Sequence, residues 1–376
     1  MRIAMVTSWD RHCGIYTYSR PLVEEMRKQG HDVHVVAHTD ATASKNVHPV
    51  IDLSRPEWYT ALEQIVDELR PDLVHIQFEY GLFARRRSGG SVGSGALEAF
   101  ELAVPLFRWK LTGQATVMTM HSDNEGVADR LAYIDVIGRL VGASIVHTPY
   151  AAKPSGDVRV IPHMAPEQAS FPNAKERFGY PGRLVVGMVG YPEWYKRYDW
   201  FVRLWGEIAA SFQGKAVLVV ACAPRPGSEA GERCSLELRA AIEASPAKDS
   251  IIYLPVLLDS RGFLELVASF DVLVLPYQSA AASGPSMAAS AVGTPVVASA
   301  VGGLKSYVES SCAGIMVDPG DEAGFRDAVL KLLNDEALRK GLGENARRYA
   351  DEVSVERTAK RHLDLYREVI ERTKVL

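Results

Sequence analysis

Lys196 lies six residues beyond Gly190 in the run Gly187-Met188-Val189-Gly190-Tyr191-Pro192-Glu193-Trp194-Tyr195-Lys196-Arg197-Tyr198-Asp199, where an aliphatic strand gives way to a glycine and a short aromatic loop. An ammonium at the head of the helix predicted next can hold a phosphate and offset the charge on one that departs. Taken alone, a lysine is by default a solvated surface residue. A second cluster, Ser283-Gly284-Pro285-Ser286, follows the carboxyl end of a strand and leads into Met287-Ala288-Ala289-Ser290-Ala291-Val292-Gly293. An open turn that starts a short buried helix presents backbone N–H groups to an anion. Core packing would explain the small residues but not the polar turn ahead of them.

Three further candidates sit where strands end. His121, with Ser122 and Asp123 behind it, closes the strand from Thr116 and suits a hydrogen-bond partner or proton relay, or else a helix cap. Glu79 and Tyr80 follow Asp72–Phe78; Glu79 is either turned to a ligand or used as a cap or as a partner of Arg85. Gly14 follows Ser8-Trp9-Asp10-Arg11-His12-Cys13, and a glycine ahead of a helix either lets a ligand approach free N–H groups or merely makes a tight turn. The dinucleotide pattern G-x-G-x-x-G is missing there, which counts against a dehydrogenase. Arg85-Arg86-Arg87 opens a Gly- and Ser-rich loop and, with Phe107-Arg108-Trp109-Lys110, offers either a solvated run or an attraction to anionic lipid or a phosphorylated acceptor.

These residues need elements to hold them. Short aliphatic runs alternate with longer segments of helical period, the grammar of parallel sheets with crossover helices. Strands are predicted at Arg2–Ser8, Asp32–His38, Asp72–Glu79, Thr116–His121, Ser144–Thr148 and Arg159–Pro162, then at Leu184–Gly190, Ala216–Ala223, Ser250–Val256, Asp271–Pro276, Pro295–Ser299 and Ile315–Val317. The reading is two doubly wound α/β domains of Rossmann-like build: 1–165, a breaker-rich linker over 166–182, and 183–352. A last helix over 353–376 is expected to cross back to the first domain. In such folds ligands bind beyond the carboxyl ends of strands, so a site in a cleft between the domains follows.

Composition narrows the class. With 42 Lys and Arg against 46 Asp and Glu in 376 residues, a net charge of -4 supplies no field for a polyanion, so nucleic acid is excluded as the main partner. Four scattered cysteines with no metal-ligand spacing read as reduced, and the opening apolar run stops at Ser8, too soon for a signal peptide; a cytoplasmic protein is expected. No charge occurs between Asp271 and Lys305, but Pro276, Gly284, Pro285, Gly293 and Pro295 break that stretch as a membrane span.

The Gly190-to-Lys196 loop and the Ser283–Ser299 segment with Gly302-Gly303-Leu304 resemble the donor-binding motifs of glycosyltransferase family 4, retaining enzymes of the GT-B fold. The resemblance runs from the Gly14 loop through His75–Phe83, Val160-Ile161-Pro162-His163 and Asp318-Pro319-Gly320-Asp321 to the helical tail. It implies a nucleotide-sugar donor (a GDP- or UDP-sugar) bound by Gly190, Tyr191, Lys196, Ser283, Gly284, Pro285 and Ser286. It implies Lys196 and His121 as catalytic residues, the latter touching the transferred sugar, and Gly14, Glu79 and Tyr80 on the side of a saccharide or lipid-linked acceptor. No metal and no tight cofactor are implied, and peripheral contact with a membrane surface fits the family's products. The family's usual glutamate pair would fall at Ala280 and Ala288, and the arginine usual near the lysine is missing. A branch with a Ser-Gly turn and no second glutamate is the nearest pattern. A non-catalytic GT-B relative is the alternative, and a nucleotide-sugar epimerase of the same fold is a weaker one, since it would want cleft carboxylates that cannot be placed.

Overall fold

The computed structural model describes residues 1–10, 13–83, 100–121, 128–151, 154–225 and 227–375. Arg85–Arg87 with the glycine-rich loop, and Ser122 and Asp123, lie outside these. The chain divides into two compact units, Met1–His163 with Val355–Leu376, and Met164–Ser354.

The first unit is a seven-stranded parallel sheet: β1 (Arg2–Val6), β2 (Asp32–His38), β3 (Val47–Ile51), β4 (Leu73–Phe78), β5 (Thr116–Met120), β6 (Ala143–Val146) and β7 (Val158–Val160), in the order β3-β2-β1-β4-β5-β6-β7. Its central strands are buried on both faces, so they read as continuous apolar runs rather than alternating ones. Strand β3 is the one not foreseen. Its Pro49 removes a ladder donor, which is tolerated because β3 is an edge strand.

The helix Val355–Val375 belongs to this unit. Thr358, Ala359, His362, Leu363, Tyr366 and Val369 recur at helical spacing and are buried. It comes so close that a Cβ on Gly142 would stand 2.6 Å from Val369 Cγ1.

The second unit is a six-stranded parallel sheet: β8 (Leu184–Val189), β9 (Ala216–Ala221), β10 (Ile251–Leu254), β11 (Val272–Leu275), β12 (Val296–Ser299) and β13 (Gly314–Val317), in the order β10-β9-β8-β11-β12-β13. Trp205, Phe201 and Phe325 fill its core, and Gly187 is needed in β8 because a Cβ there would stand 2.0 Å from the Phe270 ring. Strand order reverses between β1 and β4 in one sheet and between β8 and β11 in the other. The loops after those four strands open the crevices where such folds take ligands. They carry Gly14, Glu79, Gly190 and Ser283.

Candidate functional site

In the second unit, β8 ends at Val189 and the chain turns at Gly190 with φ +115, a conformation that favours glycine. Space demands it as well: a Cβ would stand 3.0 Å from Lys196 Nζ and 3.6 Å from Pro285 Cγ. Gly190, Lys196 and Pro285 are thereby brought to one point.

Lys196 lies in a single 3-10 turn, Trp194–Lys196, just before the helix Tyr198–Ala210, at whose head the sequence places it. The lysine is 7% exposed. Its Nζ stands 5.7 Å from the Tyr277 ring centroid and 5.9 Å from that of Tyr198, whose hydroxyl donates to Val189 O at 2.6 Å. Two aromatic faces offer a cation modest attraction. Among the described residues, however, no carboxylate pairs with this ammonium; Glu193 faces the Arg225 guanidinium instead, at 3.9 Å. Burial pushes the lysine down to about 8; Glu193 pulls it back up, and Arg225 adds to the lowering. A buried cation so placed lacks an anion.

The helix Gly284–Val292 begins beside it. Ser283 caps it, its Oγ accepting from Ser286 N at 3.3 Å, while Ser286 Oγ donates to Ser283 O at 2.8 Å. Met287 N donates to Ser283 O at 3.2 Å, and Pro285 has no N–H. The amides that were expected to face a diphosphate reduce to that of Gly284 in this turn. A Cβ on Gly284 would meet nothing within 4 Å, so the approach is open. Farther on, Gly303 is required because a Cβ there would strike Ala281 O at 2.6 Å. Ala280 and Ala288, the positions of the expected glutamates, are both buried.

Arg225 is the residue that sequence reasoning missed. It follows β9, the neighbour of β8, and its guanidinium lies 4.5 Å from the Tyr191 ring centroid. Its signal was available, a cation just beyond a strand's carboxyl end, but the strand's place beside β8 was not.

In the first unit, Gly14 opens the helix Gly14–Lys28, with open space where a Cβ would be; Cys13 caps it, its Sγ accepting from Tyr16 N at 3.4 Å. Glu79 Oε2 accepts from Gly81 N at 2.7 Å and so closes its own turn. Tyr80 is buried in the core, its ring 5.1 Å from that of Phe78. His121 is bonded to Gln77 at Nε2 (2.7 Å) and faces His147 at Nδ1 (3.4 Å), and burial holds it well below the usual histidine range. At neutral pH it is therefore a neutral hydrogen-bonding ring, not a charged acid. Among the described residues, no three His, Cys, Asp or Glu side chains converge as metal ligands, and no helix is long and apolar enough to cross a membrane.

Residues 182–335, which contain both the Lys196 loop and the Ser283 turn, match the family described as glycosyl transferases group 1. That match covers the second unit's donor-side loops and is a likeness of this part of the chain to the family. The resemblance drawn from Gly190, Lys196 and Ser283–Ser286 is borne out at that level. The D-inositol 3-phosphate glycosyltransferase of Salinispora arenicola is 32% identical over 201 residues, 52% of this chain and 44% of that one. The chain thus spans less than half the length of this curated relative. The GT-B fold covers the whole chain. Sucrose-phosphate synthase of Thermosynechococcus elongatus superposes with a TM-score of 0.79 at 19% identity, over 98% of this chain and 99% of that one. Anabaena Alr3699/HepE in complex with UDP gives 0.74 at 15% identity, over 98% and 100%.

Proposed function

We propose that the protein transfers a sugar from a GDP- or UDP-sugar to a saccharide or lipid-linked saccharide acceptor with retention of configuration, in polysaccharide or glycoconjugate synthesis in the cytoplasm. The observation that carries this reading is Lys196: buried, paired with no carboxylate among the described residues, and beside the open start of the Gly284 helix. A diphosphate seated there supplies the missing negative charge. As the bond from the anomeric carbon to the diphosphate breaks, the ammonium and the Gly284 N–H offset the charge on the departing oxygen. The acceptor oxygen bonds to the same face of that carbon, and its proton passes to the leaving phosphate. Neither a metal nor a tight cofactor enters this scheme. His121, neutral, contacts the sugar, and Glu79 and Gly14 line the acceptor side.

Arg225 takes the place of the arginine missing from the lysine loop: stacked on Tyr191, it carries a second cation to the diphosphate. A thermal-shift panel with UDP, GDP, ADP and their sugar conjugates tests both statements, since a ligand that binds the native state raises its melting temperature. One base should give a selective shift, and Arg225→Ala should weaken that ligand about tenfold, the size of one charge-assisted contact at a half-exposed group. The buried alanines at 280 and 288 favour the rival reading, a non-catalytic relative that binds a nucleotide or partner. Binding without turnover of any donor would select it.

Contact with a membrane surface is supported by a stripe on the Phe100–Leu111 segment. Phe100, Val104, Phe107 and Leu111 are 52%, 44%, 55% and 71% exposed at helical spacing, with Arg108 and Lys110 among them. Co-sedimentation with anionic vesicles should fall when Phe107 and Leu111 become serine; unchanged sedimentation removes the proposal.

A further inference from the structure

The buried interior of the first unit holds a continuous line of side chains from the last helix to the carboxyl edge of the sheet. Tyr366 OH is hydrogen-bonded to His75 Nδ1; His75 Nε2 lies 2.8 Å from Thr119 Oγ1 and 3.2 Å from the Gln77 amide; the other end of that amide lies 2.7 Å from His121 Nε2. His121 Nδ1 then lies 3.4 Å from His147 Nε2, and His147 Nδ1 lies 3.0 Å from Ile161 O. Four strands and the helix Val355–Val375 are joined by this line.

One end of it has a fixed polarity. A backbone carbonyl only accepts, so His147 Nδ1 carries the hydrogen. His147 is neutral, its burial holding it down to about 3, so its Nε2 is a lone pair. Were His121 to donate from Nε2 to a Gln77 oxygen, its Nδ1 would also be a lone pair, and two lone pairs would face each other at 3.4 Å in a partly buried contact. A half-turn of the Gln77 amide removes the conflict, because its nitrogen and oxygen exchange places without moving any other atom. Every contact along the line then has one donor and one acceptor, and what is given up is the weak donation from the Gln77 nitrogen to Met5 Sδ at 3.4 Å.

We infer that Tyr366, His75, Gln77, His121 and His147 form a one-way hydrogen-bond chain ending on Ile161 O, in which Tyr366, His75 and Gln77 are positioning residues that hold His121 as its Nδ1–H tautomer. Tyr366 donates to His75 Nδ1, and His75 Nε2–H to the Gln77 oxygen and Thr119. The Gln77 amide donates to His121 Nε2, and His121 Nδ1–H to His147 Nε2. The same carbonyl logic applies beside it: His362 Nδ1 lies 2.8 Å from Thr358 O, so its Nε2 accepts from Tyr18 OH at 3.3 Å. The last helix is thus joined through His75 and Gln77 to a ring at the β5 edge, some 240 residues away in sequence, whose tautomer follows from the polarity fixed at the Ile161 carbonyl. This holds whether or not the protein transfers a sugar.

Ring-nitrogen NMR of the 15N-histidine-labelled full chain tests it, because protonated and unprotonated imidazole nitrogens resonate far apart. Nδ1–H patterns are expected for His121, His147 and His362, and an Nε2–H pattern for His75. An Nε2–H pattern for His121, or an averaged mixture of tautomers, overturns the chain. Gln77→Glu, which offers acceptors only, should invert His121 to Nε2–H while His147 stays Nδ1–H; no inversion would also overturn it. If that variant does not fold, the wild-type tautomers alone decide.

Discussion

Lys196→Met should make the ligand-free protein more stable and lower kcat/KM for sugar transfer by about 10²- to 10³-fold. The two effects share one cause. Holding the ammonium out of water drops its pKa from 10.5 to about 8, which at neutral pH costs roughly 3 kcal/mol of folding free energy. Methionine has a similar reach and no charge, so it fills the space between Tyr198 and Tyr277 without that penalty. A fold retains such a residue when something it binds returns the energy, and the diphosphate does so most strongly as charge gathers on its leaving oxygen. Melting temperature and steady-state kinetics are the measurements, with the donor that the thermal-shift panel selects. The variant should also lose most of the nucleotide-induced shift. A lower melting temperature with near-normal turnover would make Lys196 a structural residue and end its assigned role.

The local grammar of the fold was legible because its determinants are local. Asp32–His38 is a strand from end to end as expected, and most others shorten by one or two residues where a glycine, proline or polar residue leaves the ladder. Val47–Ile51 escaped because Pro49 argues against a strand, and only its edge position, set by the whole sheet, overrides that. In the candidate site, Gly190 and Ser283 announced themselves by position: one ends a strand in a conformation that excludes other residues, the other is a polar cap ahead of a run of alanines and serines. Arg225 did not, since its meaning comes from β9 lying beside β8. The histidine interior was equally hidden. His75, His121, His147 and His362 follow no motif, and 291 residues separate His75 from Tyr366, to which it is bonded; pairings at that range depend on topology, not on spacing.

Those histidines lead to the second large effect: the stability of the protein should fall steeply between pH 7 and pH 5. Burial holds all four below the ordinary 6.5, with His147 at about 3 and His362 at about 4. The folded state therefore keeps them neutral while the unfolded chain takes up protons as pH drops through 6.5. Where the unfolded state binds more protons, stability rises with pH. The contribution is thus complete above 6.5 and is lost as pH falls toward the folded values. From pH 7 to 5, His147 and His362 each remove about 2 kcal/mol, and His75 and His121 act in the same direction. Against a total of about 5–15 kcal/mol for a typical protein, this is enough to move the urea midpoint severalfold more than exposed histidines could. Carboxylates cannot be the source, because their ordinary range lies below this window. His362→Gln should flatten the slope by about 1 kcal/mol per pH unit averaged over this window, its share of about 2 kcal/mol spread over two units. A midpoint that does not change from pH 7 to 5 would mean these rings reach water, and a ring that reaches water has no need of the partners that order it.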